Sequence, residues 1–207
     1  MSWRMKAVSQ AGESDVKATK DYSVSVAQYL PPFAQLCAHG KLFGFDMSGG
    51  TAKAPVIAMP TTSPEWGIYN ANTTAYIVLL RVGVVSESGT LGLGLSVVCT
   101  SAKGAQTAVT ANYASAVVSC LDGSSATPNA YITNNPTLVG GTPAWVAFDC
   151  LNQTSAIAVG SGVVAKVDGM IIAPPRGLIG IEVVGLTGTT ALFDVNVIIA
   201  ELELDTA

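Results

Sequence analysis

Charge is what this sequence has least of. Asp, Glu, Lys and Arg make up 12% of its 207 residues, about half the share of an ordinary soluble chain. Histidine occurs once, so any Ser-His-Asp or Cys-His scheme would have to use His39. That histidine closes a short helical pattern, where capping is the plainer role. Also missing is a run of about eighteen uncharged apolar residues, the length a membrane-spanning helix needs. The nearest approach, AYIVLLRVGVV, is interrupted by Arg81 and ends at VSESG. The first residues, MSWRMKAVSQ, lack the apolar stretch of a secretory signal. Cys37, Cys99, Cys120 and Cys150 are widely spaced with no C-x-x-C pair, so the close ligand pairs of a zinc cage are absent. No metal or cofactor is expected. The disulfide state of the four stays open, because an even count permits bridges and the compartment is unknown.

What is present is apolar: 49% hydrophobic residues and a mean hydropathy of +0.46. Such a chain without a membrane span must bury its excess in its own core or against copies of itself, and contact between copies is expected to contribute. Charge is uneven. Residues 1–53 hold Arg4, Lys6, Lys17, Lys20, Lys41 and Lys53 against Glu13, Asp15, Asp21 and Asp46, and the rest carries four bases and ten acids. That arm is too weakly basic for a nucleic-acid footprint, which needs a clustered basic face.

Residues 1–21 read as an extended arm without period, and 22–207 as one domain. Tyr22–Leu30 alternates weakly. PPFAQLCAHG predicts one short helix, with proline at its start and Gly40 just past its end. Everything after it reads as β, from period-two alternation between turn signals. Strands are expected at Leu42–Asp46, Val56–Met59, Tyr76–Val85, Leu91–Cys99, Ala111–Cys120, Ala144–Cys150, Gly162–Ile172, Leu178–Val184 and Ala191–Leu204. Tyr76–Val85 and LGLGLSVVC are expected to pair as a hairpin through SESGT. In the first of these, Tyr76, Val78, Leu80, Val82 and Val84 would face one way and Ile77, Leu79 and Arg81 the other. WGIYNAN ahead of it reads as an aromatic pair running into a polar turn. In ALFDVNVIIAELELDTA the apolar parity flips, which predicts a bulge or crossing near Ile198–Ala200. Short strands at this spacing, with no room for helices between them, predict an all-β, single jelly-roll-like β-sandwich.

Motifs for chemistry are weak. GSGVVA at 160–165 fits G-x-G-x-x-A, but β-branched residues follow where a dinucleotide site needs a helix. Glu65 beside Trp66 has the composition of a sugar site, and a hydrolase using Glu65, Asp149 or Asp168 is the remotest reading. Asn72-Thr73-Thr74 and Asn152-Gln153-Thr154 fit the glycosylation triplet.

WGIYNANTTAYIVLLRVGVVSESGTLGLGL and VDGMIIAPPRGLIGIEVVGLTGTTALFDVNVIIAELEL resemble a recurring arrangement in virion-associated β-sandwich proteins of tailed phages. In these an aromatic-Asn turn leads to an apolar strand ending in Arg/Lys-Val, then a Ser-Gly-Thr-Leu-Gly hairpin. An apolar-Pro-Pro-Gly segment and an acidic end complete the pattern. The likeness spans roughly Glu65–Glu203, more loosely over Thr100–Asp168, and departs at Ala200-Glu201, where a tryptophan is usual. It implies a non-enzymatic capsid decoration or cement protein, a homotrimer bound to the major capsid protein or other virion subunits and located in virions assembled in the host cytoplasm. Neither nucleic acid nor membrane would be a partner. Trp3, Arg4, Lys6, Trp66, Tyr69, Tyr76 and Arg81 are the expected partner or interface residues, with Trp66, Tyr69, Tyr76 and Leu80 helping to form the core or subunit contact. The alternative is a carbohydrate- or receptor-binding module of a virion surface, with Trp66, Tyr69, Tyr131 and Trp145 as exposed stacking platforms.

Overall fold

A computed structural model of the chain describes residues 6–9, 12–15, 33–47, 52–90, 94–102, 104–109, 117–126, 128–141, 143–152, 160–185 and 191–203. Two compact units divide between Gln35 and Leu36. In the first, β1 (Lys6–Ser9) and β2 (Gly12–Asp15) pair antiparallel, Lys6 opposite Asp15, within the stretch read from sequence as an arm. Tyr22–Leu30 lies outside the described residues.

The short helix forms where expected, as α1 (Ala34–Ala38). Gly40 stops it at φ +64°, its N–H donating to Cys37 O, a conformation glycine adopts at no steric cost. The second unit is a sandwich of antiparallel strands: β3 (Leu42–Asp46), β4 (Trp66–Asn70), β5 (Tyr76–Ser88), β6 (Gly94–Ala102), β7 (Val117–Ser119), β8 (Ala130–Asn134), β9 (Val146–Asn152), β10 (Gly162–Ala173), β11 (Leu178–Gly185) and β12 (Leu192–Leu202). Sheet I has the order β10-β5-β12-β3-β7 and sheet II the order β8-β4-β11-β6-β9. The pairing is nested: β3 with β12, β4 with β11, β5 with β10, β6 with β9. A chain doubled back on itself and wrapped between two sheets in this way is a jelly roll. β7 and β8 lie between β6 and β9 in sequence and extend the two sheets beyond β3 and β4.

Period two aims one side of each strand into the space between the sheets. Phe45, Val82, Val84, Phe193, Val195, Val197 and Ile199 from sheet I meet Trp66, Ile68, Leu95, Val97, Cys99, Ile179, Ile181 and Val183 from sheet II, all within a few per cent of full burial. β5 is apolar on both faces because its parity changes along its length. Leu80 is an extra residue on β5, skipped where Ile198 pairs with Arg81 and Ile199 with Leu79. Ile77 and Leu79 before it, and Val82 and Val84 after it, therefore all enter the core, which corrects the single alternation read from sequence. β10 answers with an excursion of Val167–Met170 that turns through Asp168 (φ 47°) and Gly169 (φ +84°). Gly169 there closes over Val78, leaving no room for a larger residue without a shift.

Three more expectations change. β5 and β6 are not a hairpin: they lie in different sheets, and the first three residues of SESGT still belong to β5. Alternation and a turn signal mark a reversal without specifying which sheet receives it. The register break near Ile198–Ala200 exists, but its extra residue is Leu80; β12 keeps a regular pleat against β3 from Asn196 to Ala200. Val56–Met59 is no strand. Val56 makes an isolated bridge to Val184, and Ile57 and Met59 are exposed. Conversely, β4 and β8 were missed, since WGIYN and AYITN carry the glycine and asparagine of turns. Of Ala111–Cys120 only Val117–Ser119 is a described strand.

Candidate interaction site

The outward faces of the two sheets differ. On sheet II the face is covered by the chain itself. Tyr69, Ala102, Leu138 and Leu178 form a second apolar cluster there, with Tyr131 and Trp145 packed against it. Trp145 lies over Gly180 and donates its indole N–H to Thr61 O at 3.1 Å. The segment 52–65 straps one end of the sandwich. Lys53 exchanges backbone hydrogen bonds with Phe193 of sheet I, and Val56 is bonded to Val183 and Gly185 of sheet II.

Under this strap lies Glu182, 1% exposed. Its two oxygens accept the backbone N–H groups of Glu65 at 2.8 Å and of Val183 at 2.9 Å. Burial pushes its carboxyl up to about 7; the two hydrogen bonds oppose that rise and the Glu65 charge adds to it. Lys53 Nζ pairs with Glu65 Oε1 at 3.0 Å. With both oxygens engaged and no open surface, Glu182 is a clip that fastens the strap. The turn 70–75 is fixed likewise. Asn70, fully buried, donates to Ala75 O and Ala173 O and accepts from the backbone and side-chain amides of Asn72. Asn129 donates to Asn72 Oδ1, so this triplet asparagine is committed to the fold.

The outward face of sheet I is buried in part: the row Ile172, Val78, Ala200, Leu42 is closed off, with Val78, Ala200 and Leu42 buried. The rows beyond it are open, and the register fixes their layout. One row runs Lys166, Arg81, Ile198, Gly44, Val118 across β10-β5-β12-β3-β7. Roughly 7 Å further along the strands, the next row runs Val164, Gly83, Asn196, Asp46, followed by Gly162, Val85, Asp194. Bases therefore gather at one corner, on β10 and β5, and acids at the opposite one, on β12 and β3. Glu87 joins the acidic corner: burial, then the Asp46 charge, then the Glu87 charge push the Asp194 carboxyl up to about 6. The open part of this face is partly apolar, with Val164, Val85 and Val118 exposed.

Among the residues expected at an interface, Arg81 is exposed in the basic corner and Tyr76 is half-buried at the start of β5. Trp66 and Tyr69 are buried within a single copy and act as core. Trp3 and Arg4 lie outside the described residues, and Lys6 opens β1. Lys166, Asp46 and Asp194 were not singled out from sequence; the signal was only a charge on alternate strand positions, which without the register cannot be assigned to one face.

The other candidates do not converge. Glu65 is paired under the strap, Asp149 lies on edge strand β9 of sheet II, and Asp168 is exposed in the β10 excursion of sheet I. His39 is exposed beyond α1. Gly160–Ala165 leads into strand β10 rather than a helix. Of the proposed stacking platforms, Trp66 and Tyr69 are core, while Tyr131 and Trp145 are half-buried in the cluster over sheet II. A depression of about 290 Å³ on sheet II is lined by Ile57, Ser96, Cys150, Asn152 and Val184 among others, and one of about 250 Å³ by Thr107, Val109, Thr133, Pro136, Thr137 and Leu178. Neither holds an aromatic ring or a charge. Among the described residues no cluster of three His, Cys, Asp or Glu could hold a metal ion. No protein-family model matches the chain, and no curated protein is similar to it.

Proposed function

We propose that this is a non-enzymatic structural protein of a virion, a decoration or cement subunit that associates with its own copies as a homotrimer and stabilises a shell by protein–protein contact. The observation carrying this reading is the outward face of sheet I. Its open part carries exposed valines and has bases and acids at opposite corners. Such a face is complementary to a second copy of itself, because the basic corner of one subunit meets the acidic corner of the next. The jelly roll and the resemblance of its sequence to phage virion proteins favour the same reading. Against the alternative, a sugar- or receptor-binding module, stands the placement of the aromatic rings in the core and the cover of sheet II rather than on an open platform.

The test is binding to the capsids of the virion that carries the protein, compared between the full chain, a chain without residues 1–21, and Arg81→Glu/Lys166→Glu. Co-sedimentation of the full chain, with reduced occupancy for both variants at unchanged far-ultraviolet circular dichroism, supports the proposal. No co-sedimentation of the full chain would remove it.

A further inference from the structure

The four cysteines occupy different surroundings. Cys99 is buried in the core, and burial pushes its thiol up to about 12, which leaves it without reactive thiolate. Cys150 is exposed on edge strand β9. Cys37 and Cys120 are both half-buried and meet across a separation of 83 positions: the Cys37 thiol donates to the carbonyl oxygen of Cys120 at 3.0 Å. Burial, and after it the charge of Cys37, pushes the Cys120 thiol up, so the two side chains stand within electrostatic reach of each other.

The backbone around them brings the pair together. Cys37 lies in α1, whose end is closed by the bonds Gly40 N–H to Cys37 O and Lys41 N–H to Leu36 O. Cys120 directly follows β7, and its N–H donates to Leu42 O at 3.1 Å. A five-residue helix and a three-residue edge strand are short elements with few backbone bonds of their own, so both ends can adjust to the geometry a disulfide requires.

We propose that Cys37 and Cys120 form an oxidisable pair that closes to an intramolecular disulfide, tying α1 to the β7 side of sheet I, with a low-molecular-weight disulfide such as oxidised glutathione as the oxidant. One cysteine thiolate attacks a sulfur of glutathione disulfide, forming a protein–glutathione mixed disulfide and expelling one glutathione thiolate. The second cysteine gives its proton to solvent and attacks the protein sulfur of that mixed disulfide, expelling the second glutathione. Two protein thiols are oxidised and one glutathione disulfide is reduced to two glutathiones. The bridge constrains the unfolded chain over a long loop, which corresponds to a rise in melting temperature on the order of 10 °C.

The test equilibrates the full chain with reduced and oxidised glutathione at graded ratios, traps free thiols with a maleimide, and maps disulfide peptides by mass spectrometry. The expected result is a peptide joining Cys37 to Cys120, two thiols lost per chain without dimer formation, and a higher melting temperature for the oxidised form. Cys37→Ser and Cys120→Ser each abolish the linkage and Cys150→Ser leaves it intact. A wild-type chain that stays fully alkylated at the oxidising end, or whose only bridge joins Cys150 residues of two chains, overturns the proposal without reference to any variant's folding.

Discussion

The two sheets of this jelly roll are alike inside and unlike outside. Sheet II has its outward face covered by the strap 52–65, by Trp145 and by a second apolar cluster. The matching face of sheet I carries Arg81, Lys166, Val164, Val85 and an acidic corner, with exposed apolar residues among them. Covering a β face with the chain's own loops consumes many residues and fixes it against further contact. The part of sheet I left open, with charge sorted to its corners, is available to another molecule. The difference assigns the two faces different roles: one completes the fold, the other is what the fold presents.

The largest expected effect is on the covered side. Trp145→Ala strips the ring from Gly180 and opens the second cluster, costing about 3 kcal/mol of stability, measured by urea unfolding, with the oligomeric state of the folded protein unchanged. Loss of self-association at retained stability would instead place the interface on sheet II.

Glu182 tests the strap. Its carboxyl is raised from 4.5 to about 7 in the folded chain, so the native state holds a proton that the unfolded state releases between those values. Its contribution to stability is therefore complete below pH 4.5 and lost as pH rises through about 7, amounting to roughly 3 kcal/mol. Glu182→Gln should remove that slope whatever it does to the absolute stability. An unchanged slope in the variant would mean other groups dominate.

A matched pair of glycines compares the faces directly. A β-carbon at Gly180 would stand 2.9 Å from the Trp145 ring and 3.1 Å from Pro64 and Thr100, so Gly180→Ala is expected to cost about 1–2 kcal/mol. At Gly83 the nearest atoms all belong to the side chain of Asn196, an exposed residue free to swing aside. Gly83→Ala is expected to lie within about 0.5 kcal/mol of wild type or to stabilise slightly. Equal costs at the two positions would mean that the sheet I face is packed as tightly as the other.

Much of this fold is legible in the sequence. Alternation located β3, β5, β9, β10, β11 and β12 to within a few residues, and turn chemistry between them allowed a sandwich. Alternation could not say which sheet a strand joins, so SESGT read as a hairpin between two strands that lie in different sheets. It also passed over β4, because Gly67 and Asn70 look like turn residues when nothing reveals that Leu178 and the Asn70–Asn72–Asn129 network surround them. The parity break was visible in β12, whereas the inserted residue lies in its partner β5. Arg81 stood out as the lone charge in an apolar run. Lys166 became its neighbour, and Asp46 and Asp194 joined the same face, only through pairings between residues far apart in the chain, which no local pattern encodes.

The central claim is that the outward face of sheet I is where copies meet, and sedimentation velocity tests it most directly. The wild-type chain should sediment as a trimer that weakens as salt rises, because exposed charges are screened over about 10 Å at 0.1 M and far less at higher salt. Arg81→Glu/Lys166→Glu should sediment as a folded monomer, with stability changed by less than about 0.5 kcal/mol. A wild-type chain that is monomeric at every concentration, or a charge-reversed chain that still forms the same oligomer, would contradict the account.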